Sequence, residues 1–565
     1  MSLKIPIIDT SIHTNTIMTN YGYLLKKSNI DSKLLEELRN ELTVKPVKKN
    51  VKYCEDKEPF PIFQEGNAKM LLPKYYGLEH LGVPYEVKTT VEGNTILESE
   101  KYEFNGTLRD YQVPIIEKAK QRYFVKKQDN SYELLPYGGG VITIPPGKGK
   151  TCLGLYLSYL FRKLTSKKIN TLIIVHKTFL VNQWIERIIQ YLPDAKIGII
   201  QQDKIDIEGK DIVIGMLHSI CLKNYDEDIF ERFSFVIFDE VHHLGAKVFS
   251  NALLKIQAPY TLGLSATPTR EDKLEKVFYW HLGSTIWEQY ADNDNTVIIK
   301  MYNYNTSKPN KLLKPVFNFR SKQINMAKMV TNLTELEIRN QHIVNLLVTE
   351  IFPVIPILKN KYDIKKINKH TILQHNLFDN LLTISTEPIL RFRKCLLLSN
   401  RIEHLKRIEK MLIEYNPKWE KIIGYYIGGM KEKKLKESEQ KPLLLGTFEM
   451  ASEGLDIADL DTIILGTPKS NITQSLGRML RLQAHMRYYT PIAYDIVDNV
   501  SVFISQGKKR YSNYVSKDYN VEWYDVVDTT IRSIDNPFFM VSTNVNNDQF
   551  LDSDDYTTIT NVEMY

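Results

Sequence analysis

The hydrophobic positions of this chain fall into short runs that are apolar at every residue, and stretches with helical spacing separate them. The first series of runs, which begins after residue 107, lies at 141–144, 171–175, 212–214, 235–238 and 260–264. Strands that are apolar on both faces are typical of a parallel sheet covered by helices. The pattern therefore predicts an open α/β domain in this part of the chain.

A second series of the same kind follows at 395–398, 422–426, 443–445, 462–465 and 491–496. Two α/β domains in tandem are the simplest interpretation. We predict a small amino-terminal accessory domain at 1–100, an α/β domain at 101–291, a linker rich in Asn, Lys and Tyr at 292–334, a second α/β domain at 335–505 with an insertion at about 352–391, and a carboxy-terminal extension at 506–565. The acidic end of that extension is expected to be disordered.

Composition narrows the class of protein only a little. Hydrophobic residues make up 43% and charged residues 25% of the chain, which is typical of globular domains. The net charge of +7 is compatible with a nucleic-acid partner without requiring one. The four cysteines form no C-x-x-C pair, which argues against a zinc cluster or a disulfide framework and fits a reducing compartment. No apolar run approaches the roughly 18 residues of a membrane span, and the amino terminus lacks a secretory signal, so we expect an intracellular, non-membrane protein.

The most informative segment is 141–151, Val-Ile-Thr-Ile-Pro-Pro-Gly-Lys-Gly-Lys-Thr, which reads as a strand, a glycine-containing turn and a helix start. Such a loop can wrap a polyphosphate where glycine permits a close approach. Lys150 is expected along the β- and γ-phosphates, and the Thr151 hydroxyl is expected to coordinate Mg²⁺. Ile144 stands where the general pattern has glycine, and a solvated turn is the alternative interpretation. The loop residues expected at the phosphates are Pro146, Gly147, Lys148 and Gly149.

An acidic pair follows the run 235–238, at the end of a strand where open α/β sheets bind ligands. Asp239 is expected to hold Mg²⁺ through water, and Glu240 is expected to orient and deprotonate an attacking water. An Asp-Glu pair can also simply cap the next helix. The phosphate loop that precedes it favours the chemical interpretation.

The next apolar run ends in Ser265-Ala-Thr267. These small hydroxyl residues could bond His242 and relay the state of the nucleotide to a bound strand. Ser-Ala-Thr alone is a common turn sequence, and only its position one strand after the acidic pair gives it weight.

The segment Gln474-Ser-Leu-Gly-Arg478-Met-Leu-Arg481 carries the third constellation. On a helix these three polar residues share one face, because their spacings are i,i+4 and i,i+3. Two arginines that a second domain presents to a γ-phosphate would stabilise the charge of the transferring phosphoryl group. The alternative is a salt-bridged helix surface.

Together these segments resemble motifs I, II, III and VI of superfamily 2 helicases, in the order in which that family carries them. Five more segments resemble the upstream glutamine element and motifs Ia, Ib, IV and V: Leu108–Gln112, Val175–Trp184, Gly215–Ser219, Leu397–Asn400 and Thr447–Asp456. The Asp-Glu-Val-His sequence and Phe278–Gly283 resemble the XPB-type branch, above all the transcription-associated helicases of poxviruses and other large DNA viruses.

The resemblance implies two RecA-like P-loop domains with ATP and Mg²⁺ between them. It implies that Gln112 reads adenine and that Gly454 and Asp456 complete the nucleotide site from the second domain, with Arg478 and Arg481. Contacts with a nucleic-acid strand are implied for Thr178, Gln183, Ser219, Asn400 and Thr447, and such phosphate contacts do not read sequence.

The function implied is ATP-dependent movement along DNA, with unwinding, in viral transcription or genome processing. Three alternatives stay open: an RNA helicase, a duplex translocase that does not separate strands, and an inactive nucleic-acid-binding scaffold. Transcription machinery is the implied partner and a monomer the default state. For a viral protein, the implied location is the host cytoplasm, the viral factory or the virion.

Overall fold

The computed structural model describes residues 10–28, 30–46, 58–91, 102–165, 167–226, 228–245, 247–256, 258–266, 273–289, 296–319, 324–352, 392–453, 457, 459–480, 482 and 486–534. The chain forms two compact units, residues 1–291 and 292–565. No helix among the described residues combines the length and apolar character of a membrane span.

The amino-terminal part of the first unit has a sheet of its own, with the strand order β5–β6–β2–β1–β7. The strands of this part, β1–β7, are Thr16–Thr19, Tyr23–Lys26, Thr43–Val44, Phe60–Pro61, Gln64–Glu65, Lys69–Leu72 and Glu86–Lys88. Strands β3 and β4 form a separate two-stranded sheet. The helices α1–α3 are Thr10–His13, Ser32–Glu41 and Lys74–His80.

Helix α3 joins this sheet to the rest of the first unit. The buried Lys74 amine donates a hydrogen bond of 2.7 Å to the Ala258 carbonyl, and burial lowers its pKa to about 7. The Tyr76 ring meets Trp280 edge-on, with the ring centroids 4.9 Å apart. One hydrophobic cluster includes side chains from both parts. The expected accessory domain at 1–100 therefore has its own sheet but shares its core with the residues that follow.

The larger sheet of the first unit has eight strands in the order β13–β12–β14–β11–β15–β16–β10–β17, all parallel except the β12–β13 pair. Strands β8–β17 are Phe124–Lys126, Tyr132–Leu134, Gly138–Thr143, Thr171–Val175, Ile197–Gln201, Lys204–Asp206, Ile212–Met216, Phe235–Asp239, Tyr260–Ser265 and Thr285–Glu288. Helices α4–α10 are Val113–Tyr123, Lys150–Thr165, Thr178–Tyr191, Leu217–Leu222, Asp228–Glu231, Lys247–Lys255 and Glu275–Leu282, and Val241–Gly245 is 3₁₀.

The central strands of this sheet are buried along their length, as the apolar runs predict. Since β10, β11, β14, β15 and β16 are parallel, their last residues meet at one side of the sheet, called here the first carboxyl edge. That edge is where open α/β sheets bind ligands.

Strand β10 begins with three glycines that other groups approach closely. A Cβ on Gly139 would lie 2.5 Å from the Tyr75 hydroxyl and 2.3 Å from the Leu282 carbonyl oxygen. Helix α3 therefore packs against the start of the strand whose other end leads into the phosphate loop.

The second unit has an eight-stranded sheet with the order β20–β21–β19–β22–β23–β18–β24–β25, parallel except for the β24–β25 pair. Strands β18–β25 are Ile298–Asn305, Cys395–Ser399, Ile423–Tyr426, Leu443–Thr447, Thr462–Leu465, Ile492–Asp498, Asn520–Val527 and Thr530–Ile534. Helices α11–α17 are Met326–Glu335, Glu337–Asn345, Ile402–Tyr415, Glu432–Glu439, Phe448–Glu453, Thr473–Gly477 and Ser501–Val515; Lys311–Leu313 and Pro417–Lys421 are 3₁₀, and Leu346–Ile351 is π-helical. The predicted fold class, two parallel α/β domains with a small amino-terminal part, is confirmed.

Two predicted boundaries of the second domain are wrong. The stretch 292–334 is not a linker, because β18 lies inside the second sheet between β23 and β24. The stretch 506–565 is not only an extension, because β24 and β25 complete that sheet. The predicted insertion, apart from residue 352, and the acidic tail from 535 onward lie outside the described residues.

Buried ion pairs stand at the corresponding side of the second sheet, called here the second carboxyl edge. The Arg339 guanidinium donates two hydrogen bonds, of 2.5 and 2.9 Å, to the Asp498 carboxylate, and both side chains are 0% exposed. Arg510 binds Asp495 in the same bidentate way, at 2.7 and 2.8 Å. His404 lies beside this network, and burial, followed by the charges of two arginines, lowers its pKa to about 3.

Candidate nucleotide-binding site

The phosphate loop joins β10 to α5 at the first carboxyl edge, and its backbone requires glycine at two places. Gly147 and Gly149 have φ values of 79° and 81°, in the left-handed region that disfavours side chains. A Cβ on Gly149 would also lie 2.5 Å from the Gln112 amide nitrogen. The loop therefore combines a left-handed backbone with close packing. A loop that carries a phosphate-binding lysine and exposes backbone N–H groups needs both features.

Gln112 and Tyr111 hold this loop from the outside. The Gln112 amide donates to the Lys148 carbonyl at 3.1 Å, and the Tyr111 hydroxyl donates to the same oxygen at 3.2 Å. The Gln112 side-chain oxygen accepts from the Arg109 N–H at 3.0 Å. Gln112 is only 3% exposed, so the predicted adenine reader also fixes the phosphate loop. No pattern in the sequence indicates that Tyr111 contacts this loop.

Lys150 and Glu240 form an ion pair across the first carboxyl edge. The Lys150 amine lies 2.7 Å from a Glu240 carboxylate oxygen, and the two side chains are 13% and 18% exposed. Glu240 has φ 53°, which is uncommon for a residue other than glycine. Strained backbone of this kind often occurs at functional sites. The predicted phosphate-binding lysine and the predicted general base are therefore direct neighbours.

Asp239 ends β15 and is oriented by two donors. The Trp184 indole N–H donates to one carboxylate oxygen at 2.9 Å, and the Glu240 N–H donates to the other at 3.1 Å. Burial, followed by the negative charge of Glu240, raises the pKa of Asp239. A divalent cation nearby would favour the ionised carboxylate and offset both effects. The contact of Trp184 with Asp239 was not predicted, because no pattern in the sequence indicates that α6 packs against the end of β15.

The predicted coupling residues His242 and Ser265 lie together. The His242 ring nitrogen Nδ1 is 3.4 Å from the Ser265 hydroxyl and 3.5 Å from a Glu240 carboxylate oxygen. Ser265 is fully buried at the end of β16. One histidine thus contacts both the acidic pair and the next strand. Thr267 lies outside the described residues.

The arginine segment of the second unit differs from its prediction. Helix α16 ends at Gly477, so it includes Gln474 but not Arg478. The N–H groups of Arg478 and Met479 bond three residues back, at 3.2 and 3.0 Å, which is turn geometry. The prediction of one helix through residue 481 is therefore wrong in extent, and Gly477, a poor helix former, stands where it stops. Arg481, Gly454 and Asp456 lie outside the described residues.

The predicted strand contacts of the first unit differ in exposure. Thr178 is exposed at the start of α6, and Gln183 is half-buried in the same helix. Ser219 is only 8% exposed, and its hydroxyl accepts a 3.0 Å hydrogen bond from the Gln202 N–H. This geometry favours a structural role for Ser219.

The two predicted strand contacts of the second unit lie at the second carboxyl edge. Asn400 follows β19, and its side-chain amide donates to the Pro468 carbonyl at 3.2 Å. Thr447 ends β21, the strand paired with β19. Both are partly exposed.

Comparison with known proteins agrees with this architecture. Residues 105–270 match the family described as type III restriction enzyme, res subunit. A protein of Acanthamoeba polyphaga mimivirus, named provisionally as ATP-dependent RNA helicase L396, is 33% identical over 90% of this chain and 87% of its own length. An African swine fever virus protein with the provisional name ATP-dependent RNA helicase QP509L is 26% identical over 69% of this chain and 70% of its own.

A Sulfurisphaera tokodaii protein named DNA 3'-5' translocase XPB2 is 32% identical over 27% of this chain and 32% of its own length. Because the mimivirus relative matches nearly the whole chain, the chain belongs to the superfamily 2 ATP-dependent helicases, in a group that large DNA viruses encode. It is a nucleotide-hydrolysing helicase or translocase that binds nucleic acid, so the family, the enzyme class and the general function predicted from the sequence are confirmed.

Proposed function

We propose that the first carboxyl edge binds ATP with Mg²⁺ and that its acidic pair carries out hydrolysis. The observation that supports this most directly is the Lys150–Glu240 ion pair, 2.7 Å long, beside the oriented carboxylate of Asp239. The phosphate loop supplies glycines with left-handed backbone at the same edge. A lysine, a hydroxyl, two carboxylates and loop N–H groups together form the donor set that a magnesium–triphosphate requires.

Each side chain has one proposed task. Lys150 binds the β- and γ-phosphates; when its amine turns to them, Glu240 loses its cationic partner and can accept a proton from water. Thr151 and Asp239 hold Mg²⁺, which would neutralise the developing phosphate charge. Pro146, Gly147, Lys148 and Gly149 shape the loop, and Gln112 supports it and reads the base. His242 and Ser265, with Thr267, relay the nucleotide state.

The second unit is proposed to complete this chemistry. Arg478 and Arg481 would stabilise charge on the transferring phosphoryl group, as arginine fingers do. Gly454 and Asp456 would complete the nucleotide site, and Gln474 would couple the nucleotide state to the bound strand. A site that needs both units would couple hydrolysis to a change in their arrangement.

We propose DNA as the strand along which the chain moves, in viral transcription or genome processing and together with transcription machinery. The partial similarity to a protein named as a DNA translocase supports DNA. RNA is the alternative, because the two viral relatives that cover more of the chain are named as RNA helicases.

The test is the ATPase rate of the full chain alone and with single-stranded DNA, duplex DNA or RNA. We expect hydrolysis to require Mg²⁺ and to be stimulated most by DNA. Greatest stimulation by RNA would overturn the DNA assignment alone, whereas no hydrolysis under any condition would overturn the site. A fluorescent unwinding assay beside a triplex-displacement assay separates a helicase from a duplex translocase.

A further inference from the structure

A stretch of the second unit has an unusual charge pattern. The 39 residues from 296 to 334 contain seven Lys or Arg and no Asp or Glu. The whole chain has 67 acidic residues in 565, so about five would be expected in a stretch of this length. One-sided charge that persists over such a length is typical of surfaces that bind polyanions.

Two phenylalanines in this stretch are exposed although the surrounding chain is anchored. Phe317 is 58% and Phe319 is 99% exposed. Phe317 pairs with Ile324 in an antiparallel bridge, and the Asn325 N–H donates to the Val316 carbonyl at 2.7 Å. Val316 and Ile324 also pack against a buried cluster of the second unit. A fully exposed phenyl ring forgoes the roughly 1.5–3 kcal/mol of burial. Because the chain is anchored two residues before Phe319, at Phe317, this exposure suggests a ligand for the ring.

Exposed lysines stand on both sides of these two phenylalanines in the sequence. Lys308, Lys311, Lys314 and Lys328 are all exposed. Among the described residues no salt bridge is formed by any of these four. The described residues 306–319 and 324–328 are called here the basic segment. It offers aromatic faces together with unneutralised positive charge.

The basic segment lies at the second carboxyl edge, beside Asn400. It starts directly after Asn305, the last residue of β18, whose neighbours in the sheet run parallel to it. The Arg401 guanidinium donates to the Ala327 carbonyl at 2.9 Å and to the Thr331 hydroxyl at 3.2 Å. Arg401, the residue after Asn400, thus binds α11. The basic segment therefore lies next to a residue predicted to contact nucleic acid.

We propose that the basic segment binds single-stranded nucleic acid, with Phe319 stacking on a base and the lysines contacting phosphates. This inference rests on the proposed function, since it adds a second contact region to the strand path. Stacking on aromatic side chains combined with a positive surface is how proteins bind single strands without reading their sequence. A protein partner could also contact the exposed rings, but its binding would not depend on unpaired bases.

The first test compares the binding of a fluorescein-labelled oligothymidylate with that of an equally long abasic strand, by anisotropy on the full chain. Phe319→Ala should weaken binding of the oligothymidylate about 5- to 150-fold, as loss of one stacking contact does, and should leave abasic binding nearly unchanged. Phe319→Trp, which keeps an aromatic face, should retain wild-type binding of the oligothymidylate. The matched control is Tyr415→Ala, which removes a 56% exposed ring at the far end of α13.

Unchanged oligothymidylate binding by Phe319→Ala, or an equal loss with the control, would overturn the proposal and assign the rings to a protein partner. An equal loss on the abasic strand would also overturn it, because stacking needs bases. Thermal unfolding should be the same for both variants.

The second test reverses charge in Lys308, Lys311 and Lys314 together. The dependence of log affinity on log salt should become shallower by about 2, since each phosphate contact on a single strand contributes roughly 0.7. The control reverses Lys418, Lys421 and Lys441, which precede the starts of β20 and β21 on the side of the sheet opposite the second carboxyl edge, and should leave the slope unchanged. Equal slopes for both variants would refute the phosphate contacts. If the wild-type chain hydrolyses ATP but these variants bind normally, only this inference fails; if it does not hydrolyse ATP, the proposed function fails.

Discussion

Acidic residues stand at the carboxyl edge of both sheets, and the two units use them differently. In the first unit Glu240 pairs with the Lys150 amine at 2.7 Å and lies 3.5 Å from the His242 ring, and the Lys150 and Glu240 side chains are 13% and 18% exposed. In the second unit Arg339 grips both oxygens of Asp498, and neither side chain is exposed.

An acidic residue at a strand end therefore does not by itself define a catalytic site. An amine–carboxylate contact that solvent partly reaches can be exchanged at lower cost than a fully buried pair. A buried bidentate pair cannot be opened without leaving a charge uncompensated, which costs about 3–5 kcal/mol. We infer that the first edge is built to change partners and the second to stay fixed.

Removal of the exchangeable cation, Lys150, should change activity most strongly. Lys150→Ala should abolish ATP hydrolysis, because the phosphates lose their point charge. Lys148→Ala is the matched control in the same loop: its carbonyl contacts Gln112, so the truncation should cost much less. Normal hydrolysis by the Lys150 variant in a steady-state ATPase assay would show that the first edge is not the catalytic one.

The next effect concerns the arginine segment. Arg478→Ala should lower turnover about 10²- to 10⁵-fold, as loss of an arginine finger does, with little change in the affinity for ATP. Single-turnover hydrolysis and binding of a fluorescent ATP analogue separate the two quantities. A loss of affinity with unchanged turnover would give Arg478 a binding role instead.

The fixed edge can be tested through stability. Arg339→Met should lower the free energy of opening of the second unit by about 3–5 kcal/mol, since Asp498 would stay buried without its cation. Hydrogen exchange of peptides from β19 and β22 measures that energy without assuming that the whole chain unfolds as one. Lys406→Ala, which removes an exposed ion pair with Glu403, should change it by less than about 1 kcal/mol. Equal effects would erase the distinction between the edges.

The smallest effect is a pH dependence of the second unit. His404 has a folded pKa of about 3 against an ordinary value of 6.5, so the unfolded chain binds more protons between these values. The free energy of unfolding should therefore fall as the pH drops below 6.5, by at most about 1.4 kcal/mol per pH unit for each such histidine. Burial, followed by the charge of Arg339, lowers the pKa of His342 to about 3 as well. His404→Gln should flatten this slope between pH 6.5 and 5; an unchanged slope would mean that His404 does not titrate on unfolding.

The sequence was most informative where a motif is local. The turn from β10 into α5 could be predicted because consecutive residues define both the strand and the loop. The Trp184 contact with Asp239 could not, because it joins residues 55 apart. The contact between Gln112 and the phosphate loop could not be predicted for a similar reason. Its partner is the backbone carbonyl of Lys148, and no sequence pattern indicates a contact with a particular carbonyl.

Strand β18 was missed for a different reason. Its polar residues suggested a linker, yet in the sheet they have partners. The Lys300 amine binds Glu350 at 2.8 Å, and the Asn303 amide donates to Asp525 at 2.8 Å. Polar side chains with partners on a neighbouring strand or on a packed helix look like loop residues in a sequence. The partner Asp525 lies in the predicted extension, so the two boundary errors share one cause.

The glycines at the start of β10 bear on how this enzyme can be shortened. The Tyr75 hydroxyl lies where a side chain on Gly139 would be, and the next residue of α3, Tyr76, meets Trp280 edge-on. A fragment beginning at residue 102 would uncover this aromatic surface and leave a glycine-rich strand bare at one end. That strand is the one that carries the phosphate loop at its other end. Trimming the protein to its family motifs would therefore loosen the strand on which ATP binding depends, so the smallest working version should keep its first sheet.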